Sequence, residues 1–235
     1  MSDTRGGMTA TVQTRAQKWR RRGVRFFLVA LGLTAWFGTQ AMIGRKEFPK
    51  DGIGDAVLEW TGGLNKWLQD NPRYANGVLI VSSAGVDFLA LFLLGSSIFG
   101  RSMRPFLALL ILFVLRQVCQ GLTSLPPPDG MIWRYPGFPS LLVTYGVSND
   151  LFFSGHTGIS VVGAIELSRA GGKPYKLLGI CIGLFEVATV LVLRAHYFMD
   201  VYAGAVTAIL AVAAADWLTA SRLNNGSVQP TESNA

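Results

Sequence analysis

The chain has two histidines, His156 and His196, and each stands at the edge of an apolar block. Asp200 follows His196 by four residues, so on a helix the two side chains share a face. A carboxylate so placed holds one imidazole nitrogen and leaves the other free to attack. Ser154, Gly155 and Thr157 surround His156 in the sequence. The hydroxyls and a helix N-terminus attract an anion, and Gly155 lets a ligand approach the backbone closely. Asn149 or Asp150 can cap the helix that carries His156. Arg194 and Arg134 add guanidinium forks, which match phosphate. Two imidazoles, a carboxylate, hydroxyls and arginines beside apolar blocks suit a phosphate ester with a lipid tail.

The composition says where such chemistry takes place. Of 235 residues, 50% are apolar and only 15% are charged. Disordered chains are polar and charge-rich, and soluble domains carry nearer a quarter charged residues, so both classes are disfavoured. The net charge is +7, but the basic residues form no helix face interleaved with exposed aromatics, which argues against a nucleic-acid partner. Six of the 21 Lys and Arg precede residue 24, just before the first apolar block, which suits the cytosolic side of a membrane.

Six apolar stretches are each near the ~20 residues that a helix needs to cross a bilayer: 24–44, 77–99, 105–123, 151–168, 175–193 and 197–219. The chain therefore reads as an all-α polytopic membrane protein. A basic cytosolic tail covers 1–23, a six-helix catalytic domain 24–219, and a flexible cytosolic tail 220–235. The first stretch is longer than a signal-peptide core and no small-x-small site follows, so it reads as a retained helix. Lys and Arg are more numerous in the segments that lie inside when both termini are cytosolic. That orientation puts both histidines at the non-cytosolic face, His156 about 7–8 Å below the start of its span.

Two outer loops result. In 45–76 an interfacial helix is expected over Ala56–Leu68, with Leu58, Trp60, Leu64, Trp67 and Leu68 available to lipid. Segment 124–150, rich in Pro, Gly and aromatics, is neither helix nor strand and is placed to cap a cavity.

Ionisable residues inside spans are costly and usually face a cavity or a partner. Arg116 and Glu186 share a depth of roughly 10 Å and are placed to pair. Asp87 falls near the middle of its span. Glu166 and Asp216 lie near inner ends and read as structural. Cys119 and Cys181 sit in apolar blocks with no framework spacing. Their depths differ by roughly 12 Å, too far for a disulfide. Two histidines and Asp200 have the composition of a facial metal triad, but nothing supplies a fourth ligand. Neither a metal nor a cofactor is expected.

The run Asp150-x-x-x-Ser154-Gly155-His156-Thr157, followed by His196-Tyr197-x-x-Asp200-Val201, resembles the sphingomyelin synthase group of the type-2 phosphatidic acid phosphatase superfamily. Leu115 to Pro126, ending in Thr123-Ser124-Leu125-Pro126, is similar to that group's third-span motif. Phe152 to His156 and Arg194 to Tyr197 resemble runs of the plant phosphatidylcholine:diacylglycerol cholinephosphotransferases. The likeness covers about residues 105–210.

It implies a six-helix bundle of that superfamily's type, and a head-group transfer through a phosphohistidine. His196 is then the nucleophile, Asp200 its orienting carboxylate and His156 the acid and base. Ser154, Arg116 and Arg194 bind phosphate, while Asp150, Gly155, Thr157 and Glu186 support. The partners are a membrane phospholipid donor and a lipid alcohol acceptor, diacylglycerol or ceramide, or water.

Hydrolytic members of the superfamily carry Lys-x6-Arg-Pro. Arg104-Pro105 is present here, but Ser97 stands at the lysine position and Val190 where those members place an arginine. These departures favour the transferase branch. Phe198, where transferases usually have Thr or Ser, leaves head group and acceptor open. Two alternatives stand beside the transferase: a lipid phosphate phosphatase using the same residues, and a non-catalytic lipid-binding or transport protein.

Overall fold

The structure is a computed structural model that describes residues 15–43, 52–143, 145 and 151–226. The described residues form helices and no strand. The basic segment before residue 15, residues 44–51, Asn149, Asp150 and the end of the chain from residue 227 lie outside them.

Helix α1, Arg15–Ile43, forms a unit of its own. It holds most of the first apolar stretch and also takes in part of the basic segment expected as a tail. Trp19, Phe26, Phe27, Leu31 and Phe37 are exposed along it.

From Gly52 onward the chain forms a second unit. Its helices are α2 (Ala56–Trp60), α3 (Gly62–Asp70), α4 (Pro72–Phe99), α5 (Arg104–Leu122), α6 (Gly155–Ala170), α7 (Lys173–Val192) and α8 (Phe198–Gly226). Proline stands in the first turn of α4, α5 and α7. There its fixed φ suits a helix and its missing N–H costs nothing. Four helices are long and apolar enough to cross a membrane: α4, α5, α7 and Phe198–Ala220 of α8. These match four of the six expected spans. The starting signal Asn71-Pro72 brings α4 in five residues before its apolar block. The tail expected from 220 continues α8 to Gly226.

Two expectations are corrected. The interfacial helix over 56–68 is broken at Thr61 into α2 and α3. Of its five apolar side chains, Trp60, Leu64 and Trp67 are exposed, but Leu58 and Leu68 are buried. Leu58 packs with Val190, Leu191 and Tyr197, and Leu68 with Leu79, Ile132 and Leu193. The stretch 151–168 is helical only from Gly155, because Ser154 in extended conformation caps the helix there. At 16 residues, α6 is about 24 Å long.

This short helix sits at the centre, packed against α4, α5, α7 and α8. Val86, Leu89 and Leu93 of α4, Leu109 and Leu112 of α5, and Ile159 and Val162 of α6 build the core. Ala208, Ala211, Val212 and Ala215 of α8 close it. Their three- and four-residue spacing puts them on one helix face, and small side chains let helix backbones approach.

Ions lock one end of the bundle. Arg104 donates to Glu166 at 2.7 Å, and Arg169 donates to Glu166 at 2.9 Å and to Asp216 at 2.7 Å. The structural reading of Glu166 and Asp216 thus acquires its partners, which join α5, α6 and α8. Glu166 is 4% exposed, so losing both of its arginines would strand a buried charge at a cost of about 3–5 kcal/mol. Cys119 and Cys181 are both free.

Candidate active site

The opposite end of the bundle carries both histidines. Helices α6 and α8 start there, α5 and α7 end there, and residues 131–143 cross over them. A cavity of about 150 Å³ lies among these elements, with His156, His196, Arg116 and Gly155 on its wall. Met131, Trp133, Leu142 and Val143 come from the crossing segment, which therefore caps a cavity as expected.

His196 sits in the turn between α7 and α8. The amides of Ala195 and His196 both reach back to the Val190 carbonyl, at 2.9 and 3.3 Å. Asp200, in the first turn of α8, is fully buried. Its Oδ2 accepts from the Tyr197 amide at 3.0 Å, which satisfies a donor that the helix start leaves without a partner. The same oxygen is 3.6 Å from His196 Nδ1. That is ion-pair distance, longer than a hydrogen bond, and it points the Nδ1 edge at the carboxylate.

His156 is the second residue of α6. Its Nε2 is buried and makes no hydrogen bond. The Trp133 ring meets the imidazole edge-on, with centroids 5.2 Å apart and planes at 84°. The amides of Gly155 and His156 are the first two of α6, and helix geometry gives them no intrahelical acceptor. Gly155 and His156 lie on the cavity wall beside Arg116, whose Nε donates to the Phe153 carbonyl at 2.9 Å and whose Nη1 donates to Gln120 at 3.2 Å. Arg116 and the N-terminal residues of α6 thus border the same cavity, a combination suited to phosphate.

Several expected residues stand elsewhere. Ser154 is fully buried and off the cavity wall. Its Oγ accepts from the Thr157 amide at 3.3 Å and from Thr157 Oγ1 at 3.1 Å. Both hydroxyls therefore serve the start of α6. The atom that approaches Gly155 is Arg116 Nε, 3.1 Å from where a Cβ would lie.

Arg194, at positive φ, turns away from the cavity. Its Nη1 donates to the Asp129 carbonyl and its Nη2 to the Leu58 carbonyl at 3.2 Å. Arg134 donates to Asn76 at 3.1–3.2 Å. The expected Arg116–Glu186 pair does not form, since Glu186 accepts from Ser82 of α4 at 2.6 Å. Equal depth along two helices does not put two side chains on facing sides. Asp150 lies outside the described residues. Arg104-Pro105 starts α5, at the far end from Arg116.

Two residues matter here that the sequence reading did not assign to the site. Trp133 packs on His156, and Asp55 organises the helix starts. Asp55 accepts from Val57 and Leu58 at 2.9 and 3.3 Å, capping α2, and from the Phe198 amide of α8 at 2.6 Å. An Asp just before a helix is a legible cap signal. Its reach to α8, 143 residues away, has no sequence signal.

A family model described as AtPDCT1/2 matches residues 54–217. The chain is 25% identical over 186 residues to phosphatidylcholine:diacylglycerol cholinephosphotransferase 1 of Arabidopsis thaliana. That match covers 78% of this chain and 59% of the relative, so the chain spans less than two thirds of the relative's length. No solved structure matches the chain.

Proposed function

The chain belongs to the AtPDCT1/2 family, and on that footing we propose that it is an integral-membrane lipid head-group phosphotransferase. It moves a phosphocholine-type group from a phospholipid donor to a lipid alcohol, diacylglycerol or ceramide. The phospholipid donor and the diacylglycerol acceptor follow the name of the Arabidopsis relative, and ceramide follows the resemblance of the histidine motifs to the sphingomyelin synthase group. The observation that carries the reading is the cavity walled by His156, His196 and Arg116, with Asp200 behind His196 at 3.6 Å.

In the first displacement the nitrogen of His196 turned away from Asp200 attacks phosphorus in line. A P–N bond forms and the P–O bond to the departing diacylglycerol breaks. His156 gives that oxygen its proton. In the second, the acceptor hydroxyl attacks phosphorus, His156 takes its proton, and the P–N bond breaks to restore His196. Asp200 stabilises the imidazolium. Arg116 and the first amides of α6 hold the equatorial oxygens as charge builds. Ser154 and Thr157 act by fixing the α6 start, Arg194 by anchoring the His196 turn, and Glu186 by bracing α7 on α4. Asp150 enters the same proposal as a supporting residue.

The topology belongs to the same proposal: six spans in a type-2 phosphatidic acid phosphatase-like bundle, both termini cytosolic, the cavity at the non-cytosolic face. Helix α6 and the apolar part of α1 supply the two crossings beyond the four long helices. Labelling of single-cysteine variants tests it. Residue 130 is expected to react from the non-cytosolic side and residue 172 from the cytosol, and the reverse pattern overturns the orientation.

The chemistry is tested by giving the purified protein phospholipids with labelled head groups, with and without diacylglycerol or ceramide. Transfer product that depends on the acceptor lipid is expected. Release of free phosphate or free phosphocholine instead would identify a hydrolase, and no turnover of any lipid would remove the enzymatic reading.

A further inference from the structure

We propose a second binding site, for the phosphate of an anionic phospholipid, at the end of the bundle opposite the histidines. It is independent of the catalytic reading. A cavity of about 190 Å³ opens between the end of α4, the start of α5 and the end of α6. Its polar wall consists of Ser96, Arg101, Ser102, Arg104, Glu166 and Arg169.

The charges do not cancel. Arg104 and Arg169 share the carboxylates of Glu166 and Asp216, which leaves the positive charge of Arg101 over. The donors are in excess too. Two guanidiniums carry ten N–H groups in fixed forks, against about eight lone-pair sites on the two carboxylates, and Arg104 Nε is buried 3.5 Å from Asp216 without completing a hydrogen bond. A phosphate brings one to two negative charges and several acceptor oxygens, the complement of both surpluses.

The surroundings favour a lipid as the phosphate's carrier. The cavity lies where three apolar helices end, the level at which lipid phosphates sit if those helices cross a bilayer. Ile98, Phe99 and Met103 are exposed beside it and offer apolar surface to acyl chains. Basic pockets between membrane helices hold anionic head groups in this way.

The test is native mass spectrometry of the full chain in detergent, titrated with phosphatidic acid or phosphatidylglycerol and, separately, phosphatidylcholine. Preferential retention of the anionic lipids is expected. Arg101→Gln should reduce that preference about fivefold, the effect of one basic residue near a membrane surface, and Arg101→Lys should keep most of it. Because Arg101 is exposed, both variants should keep the thermal stability of the parent. His196→Ala should keep the preference as well, which separates this site from the histidine cavity. Retention that persists in millimolar inorganic phosphate supports a lipid ligand, and displacement by phosphate supports a soluble anion at the same cluster. An unchanged preference in Arg101→Gln, or equal retention of phosphatidylcholine, overturns the site.

Discussion

Asp55 and Phe198 are joined by a hydrogen bond of 2.6 Å from the Phe198 amide to the Asp55 carboxylate. The other Asp55 oxygen caps α2. One side chain thus closes the starts of two helices, one of which carries Asp200 two residues further on. Asp55→Ala is expected to lose both caps, each worth about 0.5–2 kcal/mol, and to let the first turn of α8 shift. Asp55→Asn keeps acceptor oxygen for one of them. Thermal unfolding in detergent together with lipid turnover should rank wild type above Asn and Asn above Ala. Equal behaviour of Ala and wild type would mean that the start of α8 does not depend on this contact.

The roles of the two histidines predict distinct losses. His196→Ala should abolish transfer and hydrolysis alike. Asp200→Asn should fold and lose much of the rate, by up to about 10⁴-fold if it resembles the corresponding change in a serine-protease triad. His156→Ala removes the acid for the leaving alcohol, so a nitrophenyl phosphodiester, which leaves without one, should be partly spared. Slower turnover of that substrate by the His156 variant than by the His196 variant would show the roles to be reversed.

The α6 start and α8 touch through backbone at Gly204. A Cβ there would lie 2.6 Å from the Ser154 carbonyl oxygen, and a carbonyl in a helix cap cannot swing aside as a side chain can. Gly204→Ala should destabilise by about 1–3 kcal/mol and displace His156 relative to His196. Its melting temperature and its turnover should both fall. A variant as stable and active as wild type would mean that the two helices separate freely.

Asp87 explains how the crossing segment is held. It lies about 22 Å along α4, and its carboxylate accepts from the amides of Leu141 and Leu142 at 2.7 and 3.0 Å. Beside it, Leu142 and Val143 wall the cavity. Asp87→Ala removes the acceptor of two amides in exposed hydrogen bonds, each worth about 0.5–1.5 kcal/mol. Hydrogen exchange at Leu141 and Leu142 should then accelerate at least tenfold. Unchanged protection there would mean that the segment is held by its other contacts.

Much was legible from local pattern. The apolar block lengths marked four helices that match α4, α5, α7 and α8. The scarcity of histidine singled out the two that the cavity brings together. The fourth span is expected to start at 151 with Asn149 or Asp150 as its cap, whereas α6 starts at Gly155 with Ser154 as its cap, since several neighbouring polar residues offer equally good cap chemistry.

What the tertiary structure alone decided is which side chains face one another. Ser154 and Arg194 have the right chemistry for phosphate, yet their hydrogen bonds go to Thr157 and to the carbonyls of Asp129 and Leu58. Glu186 shares a depth with Arg116 but meets Ser82, since depth along a helix leaves rotation about its axis free. Asp55 and Asp87 act on partners 143 and 54–55 residues away. Hydrophobic periodicity and cap signals are local properties of the chain. The azimuth of each helix and the path of a Pro-rich crossing segment are set only when the helices pack and every buried donor must find an acceptor.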